Sequence, residues 1–206
     1  MPYIEKIAYH LGERSEVPNQ QLAKELAEKR DAEGIDEIAS YLHDKNQSVA
    51  SDCLKVLYEI GYIDANLIAG YTDVFAALLQ SKNNRMVWGG MIALADLAVV
   101  VPEKVYAHKA LILAGIETGT VITHVHGVRT IINLAKSDAY YDELKSTLFE
   151  LQRNCRPVDF AKRAELMIEA VREADMAEYI DMLEERLPTL SNAAQKRLGR
   201  LIRKHI

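Results

Sequence analysis

Apolar and polar positions follow a helical period along this chain, and the pattern repeats. Leu42, Leu79 and Ile116 are spaced 37 residues apart. Short polar residues follow each of them at the same offsets, and then apolar residues recur at the 3.6-residue spacing of one helix face. A fourth, looser copy begins at Leu151 and continues through Val158, Leu166, Ile168 and Val171. A repeat of this length predicts stacked helical units.

Each copy reads as two helices joined by a tight turn. Leu42 and its equivalents end a first helix, and the polar residues after them cap a second. Asn46, Asn83 and Thr120 hold equivalent positions, and their side-chain oxygens can accept hydrogen bonds from the free N–H groups of a helix start. Pro102 and Ser137 stand where first helices should begin, at N1 and at N-cap respectively. No segment shows a strand pattern, so the sequence predicts an all-α fold.

The first copy contains the pattern Leu42-x-Asp44-x-Asn46-x-x-Val49, followed by small and apolar residues. This pattern resembles the consensus of the HEAT/armadillo superfamily of helical repeats. Later copies are poorer, and the arginine that usually follows the valine is absent from all of them. The resemblance covers roughly residues 35–171. It implies an α-α superhelix, a HEAT-like α-solenoid, that forms a single domain with helical caps.

That resemblance also implies how the chain is divided. We expect N-terminal capping helices in 1–33, repeats in 34–174 and a C-terminal capping hairpin in 175–206. Gly34 is expected to break the chain between the N-terminal cap and the first repeat. Terminal units with a polar outer face are what a solenoid requires.

The predicted C-terminal helix is basic on one side and apolar on the other. Leu198, Leu201 and Ile202 form its apolar face. The basic residues are Lys196, Arg197, Arg200, Arg203 and Lys204, and the helix before them is strongly acidic. We expect the two helices to set these charges beside each other in an intramolecular hairpin. An external anionic partner is the alternative.

Composition places the chain among ordinary globular proteins. It has 206 residues, of which 49% are hydrophobic and 27% charged, and its net charge is −5. An acidic body argues against broad binding to nucleic-acid backbones. The longest apolar run is too short for a membrane span and the N-terminus does not resemble a secretory signal. With two distant cysteines that we take as reduced thiols, the sequence favours a cytoplasmic protein.

No catalytic or metal-binding constellation is recognisable. His124 and His126 are two residues apart, so on a helix they point in different directions and cannot hold one metal ion together. We expect His124 to be partly buried and hydrogen-bonded. Cys53 is expected to be an inert core thiol. The sequence therefore predicts a protein that is not an enzyme and that needs no cofactor or metal.

The repeat alignment singles out one surface on the second helices. Five positions in each copy fall opposite the core rows, and in the first copy they are wholly polar, whereas the next two copies place apolar residues there. In HEAT-like solenoids the second helices line the concave side, so the resemblance implies a groove that binds a partner, with a hot-spot composition. The predicted groove residues are Glu59, Arg85, Trp88, Ile92, Asp96, Ile122, Val125, His126 and Arg129.

Three functions are compatible with these observations. The favoured one is a protein-binding scaffold or adaptor whose partner is another protein. The second is a DNA-acting enzyme similar to the HEAT-like alkylated-base glycosylases, in which Trp88 and Asp96 would act on the base while Arg85 and Arg129 contact phosphates. The third is a homo-oligomeric assembly subunit, with the groove as its interface. Trp88 could instead fill the core or be covered by another helix.

Overall fold

The computed structural model describes residues 2–205, and within them all regular structure is helical. Short 3₁₀ turns link many of the helices. No helix in this part of the chain combines the length and the apolar content that crossing a membrane requires. The α-helices are α1 (Ala8–Leu11), α2 (Val17–Lys29), α3 (Ala32–Ser40), α4 (Gln47–Asp64), α5 (Thr72–Leu78), α6 (Asn84–Val100), α7 (Pro102–Tyr106), α8 (Lys109–Thr118), α9 (Val121–Ala135), α10 (Tyr141–Arg153), α11 (Pro157–Met167), α12 (Glu173–Arg186) and α13 (Asn192–His205).

The helices group into two compact units. The first ends at Thr130 and the second begins at Ile131, so the boundary falls inside α9. The first unit contains α4, α6 and most of α9, which are the second helices of the three regular repeat copies. The predicted division into caps and repeats at residues 34 and 175 remains a prediction.

The predicted helix starts are confirmed for the first two copies. The side chain of Asn46 accepts a hydrogen bond from the Ser48 amide at 3.0 Å, and that of Asn83 accepts one from the Arg85 amide at 3.0 Å. In the third copy the Thr120 hydroxyl lies 3.5 Å from the Thr123 amide. Pro102 begins α7 as predicted. The caps satisfy amide groups that the first turn of a helix leaves free.

Helix α6 lies at the centre of the first unit because two adjacent glycines let it approach its neighbours closely. A Cβ atom at Gly89 would lie 2.5 Å from Leu54 Cδ2 of α4, and one at Gly90 would lie 2.7 Å from the backbone oxygen of Phe75 in α5. With α4 on one side and α5 on another, residues 91–98 are all buried. Residues 91–98 of the second helix of the second copy are therefore enclosed by its neighbours, whereas its first turn and Val99 are not.

The second unit has its own aromatic core. Tyr141, Phe149, Phe160 and Tyr179 are fully buried or nearly so, and the rings of Phe149 and Tyr179 lie 5.4 Å apart. Helix α13 packs on α11 and, over a smaller contact, on α12. Its apolar face is buried at Leu198 as the sequence predicts. Aromatic rings bury large apolar areas, so these side chains are a major part of the core of this unit.

Several local predictions are wrong. Gly34 does not break the chain but lies within α3, where a Cβ atom would meet Leu26 Cδ2 at 2.5 Å, so close packing explains the glycine. Ser137 is not an N-cap, because α10 begins four residues later without a side-chain cap. In the fourth copy, Val158 is 80% exposed and Leu166 is 49% exposed, so they are not core residues.

Candidate protein-binding surface

An exposed apolar surface lies on α4, α6 and α9 of the first unit. Tyr62 near the end of α4 is 48% exposed, and Ile122 and Val125 in the first turns of α9 are 45% and 50% exposed. Trp88 in α6, at the position equivalent to Val125, is partly exposed. We call this surface the second-helix face. Exposed apolar groups gathered on neighbouring helices are typical of contact sites.

Trp88 is held in place by an aromatic neighbour. Its ring centre lies 6.0 Å from that of Tyr58, with an angle of 60° between the planes. The close approach of α4 and α6 at Gly89 brings the two rings together. Within residues 2–205 the indole N–H of Trp88 donates no hydrogen bond. One part of the indole is therefore packed, while another part and its donor remain open to a partner.

Two tyrosines and a lysine continue the surface along α4. The Tyr58 and Tyr62 rings meet edge to face at 5.9 Å, and the Lys55 ammonium lies 4.9 Å from the centre of the Tyr58 ring. Lys55 also forms ion pairs with Glu59 at 2.7 Å and Glu16 at 3.0 Å. Burial opposes its charge, but these hydrogen bonds outweigh that effect and raise the pKa of Lys55.

An ion pair joins α6 to α9. The guanidinium of Arg129 donates a short hydrogen bond to Oδ1 of Asp96, whose other carboxylate oxygen is buried without a partner in the described chain. Burial raises the pKa of Asp96, while Arg129 acts in the opposite direction. Beside them, burial and the charge of Arg129 lower the pKa of His126, which favours the neutral imidazole.

The predicted groove residues do not all lie on the surface. Ile92 is only 5% exposed and Asp96 only 8%, so the expectation that both line an open groove is wrong. They are buried because α6 is enclosed by its neighbours. Glu59 and Arg129 are partly exposed and occupied by ion pairs, whereas the Arg85 side chain is exposed and forms no ion pair within residues 2–205.

The sequence did not decide whether Trp88 is exposed in a groove or buried in the core, and in the structure its side chain is partly exposed. It is neither fully exposed nor part of the core. Sequence reasoning missed Tyr58 and Tyr62, which support and extend the surface. The four-residue spacing of these two aromatics, on the second helix of the copy before that of Trp88, was the signal that could have identified them.

His124 and Cys53, the residues considered for metal binding and thiol chemistry, have positions that are typical of structural residues. His124 is partly buried, and its Nδ1 lies 3.0 Å from the carbonyl oxygen of Ile116, as expected. Burial raises the pKa of the Cys53 thiol to about 12, which matches the expected inert thiol. In residues 2–205 no group of three or more His, Cys, Asp or Glu side chains could hold a metal ion.

Comparisons with known proteins identify the fold. No protein-family model and no curated protein matches the chain. Among solved structures, an engineered protein from the Northeast Structural Genomics Consortium matches all of this chain and 97% of its own, with a TM-score of 0.66 and 16% identity. A designed armadillo repeat protein in complex with peptide (KR)4 matches 90% of this chain and 86% of its own, with a TM-score of 0.68 and 14% identity.

A second engineered protein from that consortium matches 98% of this chain and 57% of its own, with a TM-score of 0.66 and 15% identity. At these identities the likeness concerns the fold alone. The chain is thus all-α, and its fold is similar to the helical solenoid of a designed armadillo repeat protein, as the sequence predicts.

Proposed function

We propose that the protein is a non-enzymatic scaffold that binds an extended segment of another protein on its second-helix face. The observation that carries this proposal is Trp88, which is packed on one side by Tyr58 and keeps its indole N–H unpartnered within the described chain. A rigid aromatic with an open edge supplies contact area at low cost in conformational entropy. The proposal includes a cytoplasmic location.

An extended segment fits the chemistry of this face better than a helix does. Besides the Trp88 indole N–H, the Tyr62 hydroxyl and the Arg85 guanidinium have no partner within residues 2–205. Extended main chain presents free carbonyl oxygens to such donors, and it directs alternate side chains to the surface. The carbonyls of a helix are already used by the helix itself.

The charges of the face indicate an acidic residue in the partner. Lys55, Glu59, Asp96 and Arg129 are all occupied by ion pairs. Arg85 is the exposed charge of the face that lacks one within the described chain. A carboxylate opposite Arg85 can form two parallel hydrogen bonds with the guanidinium. The designed neighbour's peptide (KR)4 carries the opposite charge, so the proposal takes only the idea of a bound peptide from that neighbour.

Selection from a random peptide library displayed on phage tests the proposal. The wild-type protein should enrich peptides that share an apolar residue and an acidic residue. Trp88→Ala should weaken their binding about tenfold or more, the loss expected for a hot-spot residue. Val158→Ala removes an exposed apolar side chain on α11 and should leave binding unchanged.

Two outcomes would count against the scaffold. If every enriched peptide binds the Trp88→Ala and wild-type proteins equally well, the second-helix face is excluded as the site. If no peptide is enriched and light scattering shows a stable oligomer, the face would instead be an interface between copies of this chain.

A further inference from the structure

The outer side of α13 carries five basic side chains, and four of them form no ion pair within the described residues. Arg197 is paired with Glu165 of α11, with 2.6 Å between Nε and Oε1. The other basic side chains are exposed and form no ion pair within residues 2–205. They are Lys196, Arg200, Arg203 and Lys204.

The acidic residues of the neighbouring helix do not pair with them, contrary to the expectation from the sequence. On α12, Asp175 and Glu178 pair with Lys145 of α10, at 2.5 Å and 2.9 Å. Asp181, Glu184 and Glu185 are exposed and have no ion pair in the described chain. The predicted pairing of charges between α12 and α13 is therefore wrong, and α13 makes its larger contact with α11. The C-terminal hairpin itself remains a prediction.

Three of these basic side chains lie together around a shallow depression on α13. Lys196, Arg200 and Arg203 are four and three residues apart, so they lie along one stripe of the helix. With Gln195 and Gly199 they line a shallow depression of about 340 Å³. A Cβ atom at Gly199 would meet only Arg203 Nη1, at 3.6 Å, so the glycine leaves room between the cations.

We propose that this depression, the α13 cradle, binds an acidic segment of a partner protein, independently of the second-helix face. Carboxylate side chains form bidentate hydrogen bonds with Arg200 and Arg203, and Lys196 adds a third positive charge. The floor at Gly199 lets the main chain of the segment come close to the helix.

A protein segment suits this site better than a nucleic acid or a membrane. From Lys196 to Arg203 the stripe is about 10 Å long, at roughly 1.5 Å per residue, which is a short footprint for a polyanion. A longer phosphate backbone would also run past the unpaired acids of α12. Binding to a membrane surface would be weak, because the apolar face of α13 is buried at Leu198 and Ile202 and cannot insert into the bilayer.

Fluorescence anisotropy with a labelled oligoglutamate peptide tests the cradle. We expect saturable binding that weakens as salt is added, and a loss of about tenfold or more when Lys196, Arg200 and Arg203 are all changed to Gln. The matched control changes three scattered basic residues to Gln, all of them exposed and without an ion pair in the described chain. They are Arg14, Lys45 and Lys82.

Two further variants make the result specific. Gly199→Leu fills the depression without changing the charge, and because leucine is a better helix former it should preserve α13 while weakening the peptide about fivefold or more. Trp88→Ala should leave oligoglutamate binding unchanged, which separates a failure of the cradle from a failure of the second-helix face. All variants are checked for native helicity by circular dichroism.

Three results would overturn the proposal. In the first, the cradle triple variant and the scattered control bind oligoglutamate equally well, so that only total charge matters. In the second, oligothymidylate binds more tightly than oligoglutamate and depends on the same three residues, which would make the site a nucleic-acid surface. In the third, vesicles of phosphatidylserine and phosphatidylcholine bind more tightly than oligoglutamate and depend on the same three residues, which would make the site a membrane-binding surface.

Discussion

Arg129 of α9 and Asp96 of α6 form an ion pair that ties the second helices of two consecutive repeat copies together. The Asp96 side chain is 10% exposed and that of Arg129 is 40% exposed, so the carboxylate depends on the guanidinium much more than the guanidinium depends on the carboxylate. The pair therefore stabilises a buried charge at the border of the second-helix face.

Removing the arginine should destabilise the fold in a pH-dependent way. Arg129→Leu leaves Asp96 buried without a cation, and we expect a loss of about 1–3 kcal/mol at neutral pH, below the value for a fully buried pair because Arg129 is partly solvated. The pKa of Asp96 is already raised by burial and should rise further. The folded state of this variant favours the protonated Asp96 carboxyl. Protonation of Asp96 therefore stabilises the fold at about pH 4, and this stabilisation is lost as the pH rises through the folded pKa of Asp96.

Urea unfolding at about pH 4 and pH 7 measures this effect. The destabilisation by Arg129→Leu should be smaller at the acidic pH. Adding Asp96→Asn to the same variant should remove the difference between the two pH values. An equal loss at both pH values in the single variant would show that Asp96 is not the group responsible.

Trp88 should matter more for binding than for folding. Because the indole is only partly buried, Trp88→Ala should cost about 1–2 kcal/mol, whereas Phe75→Ala, which empties a fully buried site, should cost about 3–5 kcal/mol. Thermal and urea unfolding of the two variants provides the comparison. A loss at Trp88 as large as that at Phe75 would identify the tryptophan as a core residue.

The two adjacent glycines of α6 should differ in their tolerance of a methyl group. At Gly90 the added Cβ meets the backbone oxygen of Phe75 at 2.7 Å, whereas at Gly89 it meets the end of the Leu54 side chain, which can move. We expect Gly90→Ala to cost about 2 kcal/mol or more and Gly89→Ala about half as much. Gly70→Ala, with nothing within 4 Å, should be neutral or slightly stabilising.

The helix caps give a test of the repeat itself. Asn46→Ala and Asn83→Ala should each cost about 1 kcal/mol, because each removes an acceptor from a first-turn amide. Ser137→Ala should change the free energy of unfolding by less than about 0.5 kcal/mol, because the serine does not cap α10. Equal losses at all three positions would contradict the cap assignment.

Local chemistry explains which parts of the fold could be predicted from sequence. The second-helix starts at Asn46 and Asn83 and the proline start of α7 depend on interactions within one turn, and all three are confirmed. Gly34 was misassigned because it is needed for close packing against Leu26 of α2 and Tyr3, which local sequence does not reveal. Helical periodicity identifies a face but does not say how many neighbours cover it.

The same limit explains the candidate sites. Ile92 and Asp96 occupy repeat positions that are polar in the first copy. They are nevertheless buried, because the glycines of α6 allow α4 and α5 to pack closely against it. The pattern of basic residues on α13 was visible in the sequence, but the helix against which α13 packs was not. With α13 packed on α11, Arg200 and Arg203 have no ion pair within residues 2–205, and only tertiary structure could show this.

The most direct test of the scaffold uses Trp88 itself, which is the only tryptophan of the chain. Its fluorescence is titrated with a selected acidic peptide, using wild-type protein and Arg85→Glu. We predict that the peptide changes the emission of Trp88 and that Arg85→Glu weakens binding about tenfold or more. A peptide with its acid replaced by arginine should recover affinity for that variant. Binding that leaves the emission of Trp88 unchanged, and that is insensitive to the charge at Arg85, would show that the second-helix face is not the binding site.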